Sequence, residues 1–499
     1  MIAQTTNSVS NNEDQHVTMD IPINKEVAYH FIPTQGSHID DDDTGFYKDQ
    51  NCDWWLRATK LKSCNRFEIV KYRNTHSCEA QHIISHHPHA SADVTAEYML
   101  PSFLNGKGPS TRDIKIIVQA DLGCKISYWK YLKISEIAKA IIRGTPDYGY
   151  TILDGYCHML MSVNERSKTS LKIDDQVRFK YFFVSLGAWI RGFVHMKKVL
   201  VVDGTFLSGR YDGVLLVAVA QDTENHIFPV AFCVVDKECD AAYQYFFEKP
   251  LEIIPNTSKL CIISDMHPSI GKAILKFYSK AHHGCCTRII NAQVANYLQK
   301  IGFDKWSRAY FPENRYNKLS SNIVKSVNAI LKEEREFPIT ALFNDISKRW
   351  SELFHERRMK YAKLKIIFVP STETKIIANK NLVNKLLIHQ IDEDTFSVTV
   401  DNGIAMVRLR SKTCSCREFD LDKIPCQHAM AALRHKFGDE YGKMIYEYSS
   451  PYYKVESYIL AYANPIYSVL AEEFWNLPPK VLERVIPPPE KKTKPGRKW

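Results

Sequence analysis

Two sets of residues in this chain have the types and spacing to do chemistry. The first is Cys414-Ser-Cys416 followed, nine residues on, by Cys426-Gln-His428. Three thiols and one imidazole from two short segments form a closed tetrahedral set for Zn²⁺, the pattern of a structural rather than a catalytic site. Zinc bound this way contributes on the order of 10 kcal/mol to the folding of a small module. The second is a pair of acids. Asp203 lies in Val199-Leu-Val-Val-Asp-Gly-Thr-Phe-Leu207, and Asp265 ends Leu260-Cys-Ile-Ile-Ser-Asp265. Each apolar, largely β-branched run reads as a buried strand, and two such strands can bring both carboxylates to one metal. Taken singly, Asp203 reads equally as the acid of an Asp-Gly turn and Asp265 as a helix N-cap. A weaker third set, Cys52, Cys64, His76 and Cys78, also offers Cys₃His donors for zinc, but it has no second Cys two to four residues from Cys52. His82, His86, His87 and His89 read as a flexible polar loop.

The elements that must position these residues can be read from period and punctuation. After the strand at Val199 come apolar runs at Tyr211 to Gln221 and Ile227 to Val235, separated by short turns, which make an antiparallel meander. A helix at Ala241 to Ile253, the strand ending at Asp265 and a helix at Ile270 to Lys280 follow. Strand-strand-strand-helix-strand-helix, with acids on the first and fourth strands, is the ribonuclease H arrangement. Enzymes of that fold hold two Mg²⁺ roughly 4 Å apart between carboxylates. Around the Cys/His set, Phe396 to Val400 and Ala405 to Arg410 form a hairpin across an Asn-Gly turn, and Gln427 to Phe437 is a helix entered from Pro425. Earlier, Ser110 caps a helix, Lys133 to Ile142 has an apolar face at helical spacing, and Tyr148 to Asn164 is another such helix. These make a small helical domain of the sort that presents a helix to a DNA groove, with no residue singling out a reading helix.

Bulk composition bounds the rest. A chain of 499 residues exceeds one ordinary core, so two to four domains are expected. A net charge of +10 suits a polyanionic partner. No apolar run reaches the ~18 residues that span a membrane, and Met1 to Asn12 is too polar for a secretory signal, so the thirteen cysteines read as reduced thiols or metal ligands. Residues 1–45 read as disordered. The end of the chain, Pro487 to Trp499, reads as an unfolded basic tail in which Lys494, Arg497 and Lys498 are candidate DNA contacts or part of a nuclear signal.

At this point the sequence resembles the transposases of plant Mutator-like elements (MULEs). The matching segments are Ile142-Arg-Gly-Thr-Pro146, Arg178-Phe-Lys-Tyr-Phe-Phe183, Val201-Val-Asp-Gly-Thr-Phe-Leu207, Val214-Leu-Leu-Val-Ala218, Ile227-Phe-Pro-Val-Ala-Phe232, Ser264-Asp-Met-His-Pro-Ser-Ile270, His283-Gly-Cys-Cys286 and Trp306-Ser-Arg-Ala-Tyr-Phe-Pro-Glu-Asn-Arg-Tyr-Asn317. The resemblance runs from about residue 52 to about residue 489. It implies a DNA-binding N-terminal module, a DDE-type catalytic core using Mg²⁺ or Mn²⁺, and a C-terminal SWIM zinc finger. Asp203 and Asp265 carry over as the first two metal-binding acids. The third, a Glu in a helix reading Asn-Ile-x-Glu-Ser-x-Asn, falls in Asn322-Ile-Val-Lys-Ser-Val-Asn328, where Lys325 stands in its place. An ammonium there repels a cation by about 4 kcal/mol per unit charge at 4 Å and an effective dielectric near 20, and double that for a dication. Glu333, Glu334 and Glu336 read as a solvated helix face rather than a replacement. Three further departures point the same way. Ile289 replaces the His of the family's Cys-x-x-His after Cys286, Asn291 to Lys300 spans a shortened insertion, and Tyr47 stands where the N-terminal zinc module usually has a Cys.

The expected fold class is α/β: a ribonuclease H-like core with flanking helical segments, a partial N-terminal zinc module and a small C-terminal ββα zinc finger. The expected divisions are 1–45 disordered, 46–100 zinc-finger-like DNA-binding module, 110–175 helical DNA-binding or linker region, 176–345 catalytic core, 346–395 helical linker, 396–440 SWIM finger and 441–499 basic tail. The first functional reading is a nuclear, DNA-binding, zinc-binding protein of transposase descent with impaired strand transfer. The others are a live two-metal transposase with another acid in the third place, and a protein-interaction module working through the finger. No membrane partner is expected.

Overall fold

The computed structural model describes residues 39–40, 44–48, 55–60, 67–73, 91–103, 108–122, 126–265, 267–285, 322–362, 366–384, 386–400 and 403–490. The chain divides into two compact units, 1–144 and 145–499. The candidate N-terminal zinc residues Cys52, Cys64, His76 and Cys78, the His82–His89 cluster, Cys286, Ile289 and the tail residues Lys494, Arg497 and Lys498 lie outside the described residues.

The first unit holds an antiparallel sheet in the order β1 (Ile39–Asp40), β2 (Thr44–Lys48), β3 (Trp55–Lys60), β4 (Phe67–Arg73). β1 and β2 pair antiparallel, Ile39 with Gly45 and Asp40 with Thr44, so these residues are strand where disorder up to residue 45 is expected. Three helices follow: α1 (Ala92–Met99), α2 (Thr111–Leu122) and α3 (Tyr128–Arg143). α2 starts where the sequence signals it, after Ser110, whereas α3 begins at Tyr128, ahead of the Lys133 read from the sequence. The Ser110 hydroxyl donates to the Asp113 carboxylate at 2.6 Å, while the Asp113 N–H is donated back to that hydroxyl, a reciprocal cap. Ser127 accepts from Lys130 N–H, and Gly144, at φ 78, ends α3 in a conformation only glycine adopts cheaply.

The second unit begins at Thr145, inside the stretch expected to be a helical region of 110–175. After α4 (Pro146–Thr151) and α5 (Leu153–Val163), residues 168–173 already form a strand. The strands β5 (Lys168–Ile173), β6 (Phe179–Ser185), β7 (Val199–Phe206), β8 (Val214–Gln221), β9 (Ile227–Val235), β10 (Cys261–Ser264) and β11 (His282–Cys285) make one sheet ordered β11-β10-β7-β8-β9-β6-β5. β7, β8 and β9 are the antiparallel meander, and β10 runs parallel to both β7 and β11. The core therefore starts earlier than residue 176, because β5 pairs with β6 as its edge.

The unbroken apolar runs of β8 and β9 are explained by cover on both faces. Adjacent residues on β6 show this directly. Phe182 meets Phe343 of α10 (Ile339–Tyr361) at 4.8 Å, and Phe183 meets Phe246 of α7 (Asp240–Glu248) at 6.3 Å, on opposite sides of the sheet. α6 (Gly187–Phe193), α8 (Pro268–Phe277) and α9 (Asn322–Ile330) complete the layers.

A finger-sized module with its own core follows. Its sheet is β12 (Leu387–Gln390), β13 (Thr395–Val400), β14 (Gly403–Arg408) and β15 (Thr413–Cys414), packed with α11 (Pro370–Val383), α12 (Glu418–Asp422), α13 (Gln427–Phe437) and α14 (Tyr441–Tyr448). Residues 441–490 depart from the expected tail. α14 completes the module, α15 (Val455–Ala461) returns to the large core, and residues 463–490 form a strap along it. Asn164 fixes the strap at both amide atoms, donating to Tyr467 C=O at 2.8 Å and accepting from Tyr467 N–H at 2.9 Å. Phe179 N–H donates to Pro487 C=O, and Ile486 is buried. No described helix is long and apolar enough to cross a membrane.

Candidate functional site

β7 carries Asp203 as its fifth residue, inside the strand rather than at its end, so the turn reading of Asp203 fails. Asp265 directly follows β10. The parallel register pairs Val201 with Ile263. Carried two residues further, it sets Asp203 beside Asp265 on the same face of neighbouring strands. Asp265 is not the helix N-cap. His267 caps α8, its ring accepting from Ser269 N–H, while Asp265 Oδ1 accepts from His267 N–H at 3.1 Å.

The electrostatics of Asp203 record what surrounds it. Burial pushes its carboxyl up to about 6, and the charges of Asp265 and Glu238 push the same way. The Gly204 N–H, donated to Oδ1 at 2.9 Å, and the Lys325 ammonium pull it back. Lys325 thus lies near enough for its charge to act on Asp203, from an exposed position on α9, which packs on β7 and β8.

Glu238 was absent from the sequence reading. It lies three residues after β9, in the acid-rich turn Asp236-Lys-Glu-Cys-Asp240 that leads into α7. Its Oε1 accepts from the Tyr243 hydroxyl at 2.7 Å and stands 2.6 Å from where a Cβ on Gly204 would sit. Gly204 is therefore the residue that admits Glu238 against β7. The surrounding acids and burial push the Tyr243 hydroxyl well above the usual range, so it stays a donor.

The acids beyond α9 differ from expectation. α9 stops at Ile330, and Glu334–Glu336 form a separate turn. Glu333 and Glu336 are exposed, but Glu334 is fully buried and ion-paired with Arg349 of α10. Next to it, Arg335 donates to Thr205 Oγ1 at 2.9 Å, pinning the turn to β7.

An acid held protonated by its surroundings has a thermodynamic signature. The unfolded chain releases the Asp203 proton near pH 3.9, and the fold releases it near 6, so stability falls as pH rises through that window. Asp203 keeps partial exposure, and ionising it costs the fold about 1–2 kcal/mol. Asp203→Asn is expected to stabilise the chain by that amount at pH 7.5 without divalent cations and by nothing at pH 4. Urea unfolding at the two pH values tests this, and an Asn variant no more stable than wild type at pH 7.5 would overturn it.

The second site is built by the module. β14 turns through Lys412, at φ 54, into β15, which supplies Cys414. Cys416 lies in the knuckle before α12, and Arg417 there has φ 68. Cys426 is the N-cap of α13, its sulfur accepting from Ala429 N–H, and His428 sits in the helix's first turn. Asp420 accepts from Cys414 N–H at 2.8 Å and locks the knuckle. One ligand atom from each of Cys414, Cys416, Cys426 and His428 lies within 4.8 Å of all the others. His428 Nδ1 is 3.7 Å from the Cys414 sulfur and 3.9 Å from that of Cys426. A tetrahedron with Zn–S of about 2.3 Å and Zn–N of about 2.0–2.1 Å has S···N edges of about 3.5 Å, so these residues fit zinc. Hydrogen bonds from Cys414 and Cys426 hold the Cys416 thiol far below its ordinary range, and those with Cys414 and Cys416 raise His428 to about 9. Metal binding displaces such shared protons.

The carboxylates do not fit a metal in the same way. Among the described residues, the Cys/His set alone brings three or more Cys, His, Asp or Glu ligand atoms within 4.8 Å of one another. Asp203, Asp265 and Glu238 face one another electrostatically without closing to that spacing, and the Lys325 charge acts on Asp203 in the opposite sense.

Residues 199–293 match the family model of the MULE transposase domain, and residues 396–437 match that of the SWIM zinc finger. The first match begins at β7 and covers both aspartates and Glu238. The second spans all four Cys/His ligands. A search of curated proteins returned no match.

Proposed function

We propose that this chain, which carries a MULE transposase domain and a C-terminal SWIM zinc finger, is a transposase-derived nuclear protein that binds DNA and zinc and whose strand-transfer chemistry is impaired. The observation that carries the reading is Lys325. It occupies the third acid's place in α9, and its charge reaches Asp203. The strand order, with a meander followed by a parallel strand bearing the second acid, supports a ribonuclease H-like ancestry for the core. Mg²⁺ or Mn²⁺ in such a core would activate a nucleophile and steady the leaving oxygen. The acids here are spread, and a lysine opposes that charge.

Glu238 favours a second reading, in which cleavage persists with this acid in the third place. The two separate in one assay of Mg²⁺- and Mn²⁺-dependent nicking of supercoiled DNA. In the first reading wild type is inert and Lys325→Glu gains nicking. Wild type nicking as well as Lys325→Glu, and losing it on Glu238→Gln, would sink the impaired reading in favour of the second. DNA binding itself is expected to weaken as salt rises, because phosphate contacts release counterions.

A further inference from the structure

The helical trio of the first unit buries one face of α3. Tyr131, Ile134 and Ala138 are its core positions, packed with Met99 of α1 and with Ile114 and Val118 of α2. At 100° per residue, the opposite face is centred on Trp129, Lys133, Glu136 and Ala140. Trp129 is 77% exposed and Tyr128 61%, and their rings meet edge to face at 5.9 Å. α3 carries four cations, Lys130, Lys133, Lys139 and Arg143, against the single acid Glu136. Five residues separate α3 from α2.

We propose that α3 is the DNA-reading helix of this unit, entering the major groove of a duplex with its first turns, Tyr128 to Lys133, leading. This rests on the DNA-binding reading above and names the surface that performs it. A second helix after a short connection, with its N-terminal residues forward, is how helix-turn-helix proteins meet base edges. The major groove, about 12 Å wide, admits such a helix. The charge selects the partner. Lysine is depleted from the cores of protein interfaces, whereas a basic face beside exposed aromatics suits phosphates flanking base edges. Lys130 and Lys133 are the phosphate contacts, and Trp129 packs against sugar and thymine methyl groups.

The test uses the full chain and a mixed-sequence duplex of about 30 base pairs, with the dissociation constant measured by fluorescence anisotropy across 0.05–0.2 M salt. Trp129 and Lys133 are solvent-facing and Lys130 is half-buried, and circular dichroism checks that the variants fold. Lys130→Ala and Lys133→Ala are each expected to weaken binding about 5- to 10-fold at 0.1 M salt and to lower the salt slope by about 1. Trp129→Ala should weaken binding with the slope unchanged. A wild type that binds no DNA overturns this inference and the DNA-binding reading together. Wild-type binding that survives all three changes with the same slope overturns this inference alone. So does a wild-type oligomer that Trp129→Ala converts to monomer with DNA binding intact, which would make the face a contact between copies.

Discussion

Cys426→Ala is expected to cost the chain its zinc and to unfold the module of residues 366–453 while the seven-stranded core stays folded. Two features set the size of the effect. Cys426 is fully buried and does two jobs, as a metal ligand and as the sulfur cap of α13. Deleting it leaves a three-ligand site and an uncapped helix start. Metal binding to such a set is worth on the order of 10 kcal/mol, most of which the variant forgoes. The unfolding is expected to stay local because the cores are separate. Phe368 and Val369 are neighbours in sequence yet belong to different clusters, Phe368 with the module and Val369 with the large sheet. Calorimetry of the wild type should therefore show a transition of the module's own, which chelation or Cys426→Ala removes. Metal analysis should give one zinc per chain before and none after. A Cys426→Ala chain that retains one zinc and the module's transition would refute the assignment.

How far the sequence revealed this architecture depended on whether burial was written locally. β9 was read at its observed limits, because a strand covered on both faces is apolar throughout. The zinc ligands were legible for a similar reason: their chemistry lies in spacing along the chain, and Pro425 and Gln427 to Phe437 mark the helix that carries two of them. The aromatic stretch from Phe179 to Phe193 divides into β6 and α6, a boundary that period alone does not mark, since it does not separate a buried strand from a buried helix. β5, half exposed at the sheet edge, gave no alternation. The strap of residues 463–490 has no period at all. Its order comes from partners such as Asn164 and Asn344, more than a hundred residues away in sequence. Glu238 and Glu334 were missed or misread for the same reason. Each is an acid in a polar turn, the usual place for solvated charge. What makes them different is the approach of Gly204 in one case and of Arg349 in the other, which only the fold supplies.

Arg349→Met should lower the stability of the large core by about 3–5 kcal/mol. Glu334 is buried completely, and the Arg349 guanidinium is its ion-pair partner. Removing the cation takes the counter-charge from a carboxylate that water cannot reach, and that loss of compensation, rather than the loss of the pair's own attraction, dominates the cost. The double variant Glu334→Leu/Arg349→Met removes both charges and should recover most of the loss. A double-mutant cycle by urea unfolding measures the coupling. A double variant as unstable as Arg349→Met alone would place the cost in lost packing of the arginine stem instead. The site gives the pair a reach beyond stability. Glu334 sits in the turn that follows α9, and its neighbour Arg335 holds that turn to β7 through Thr205, two residues from Asp203. A buried carboxylate there that has lost its Arg349 counter-ion should loosen the anchor of the helix that presents Lys325. Arg349→Met should then weaken the influence of Lys325 on Asp203, and the pH at which Asp203 titrates, followed by NMR of its carboxyl carbon, should move up. The double variant should restore it.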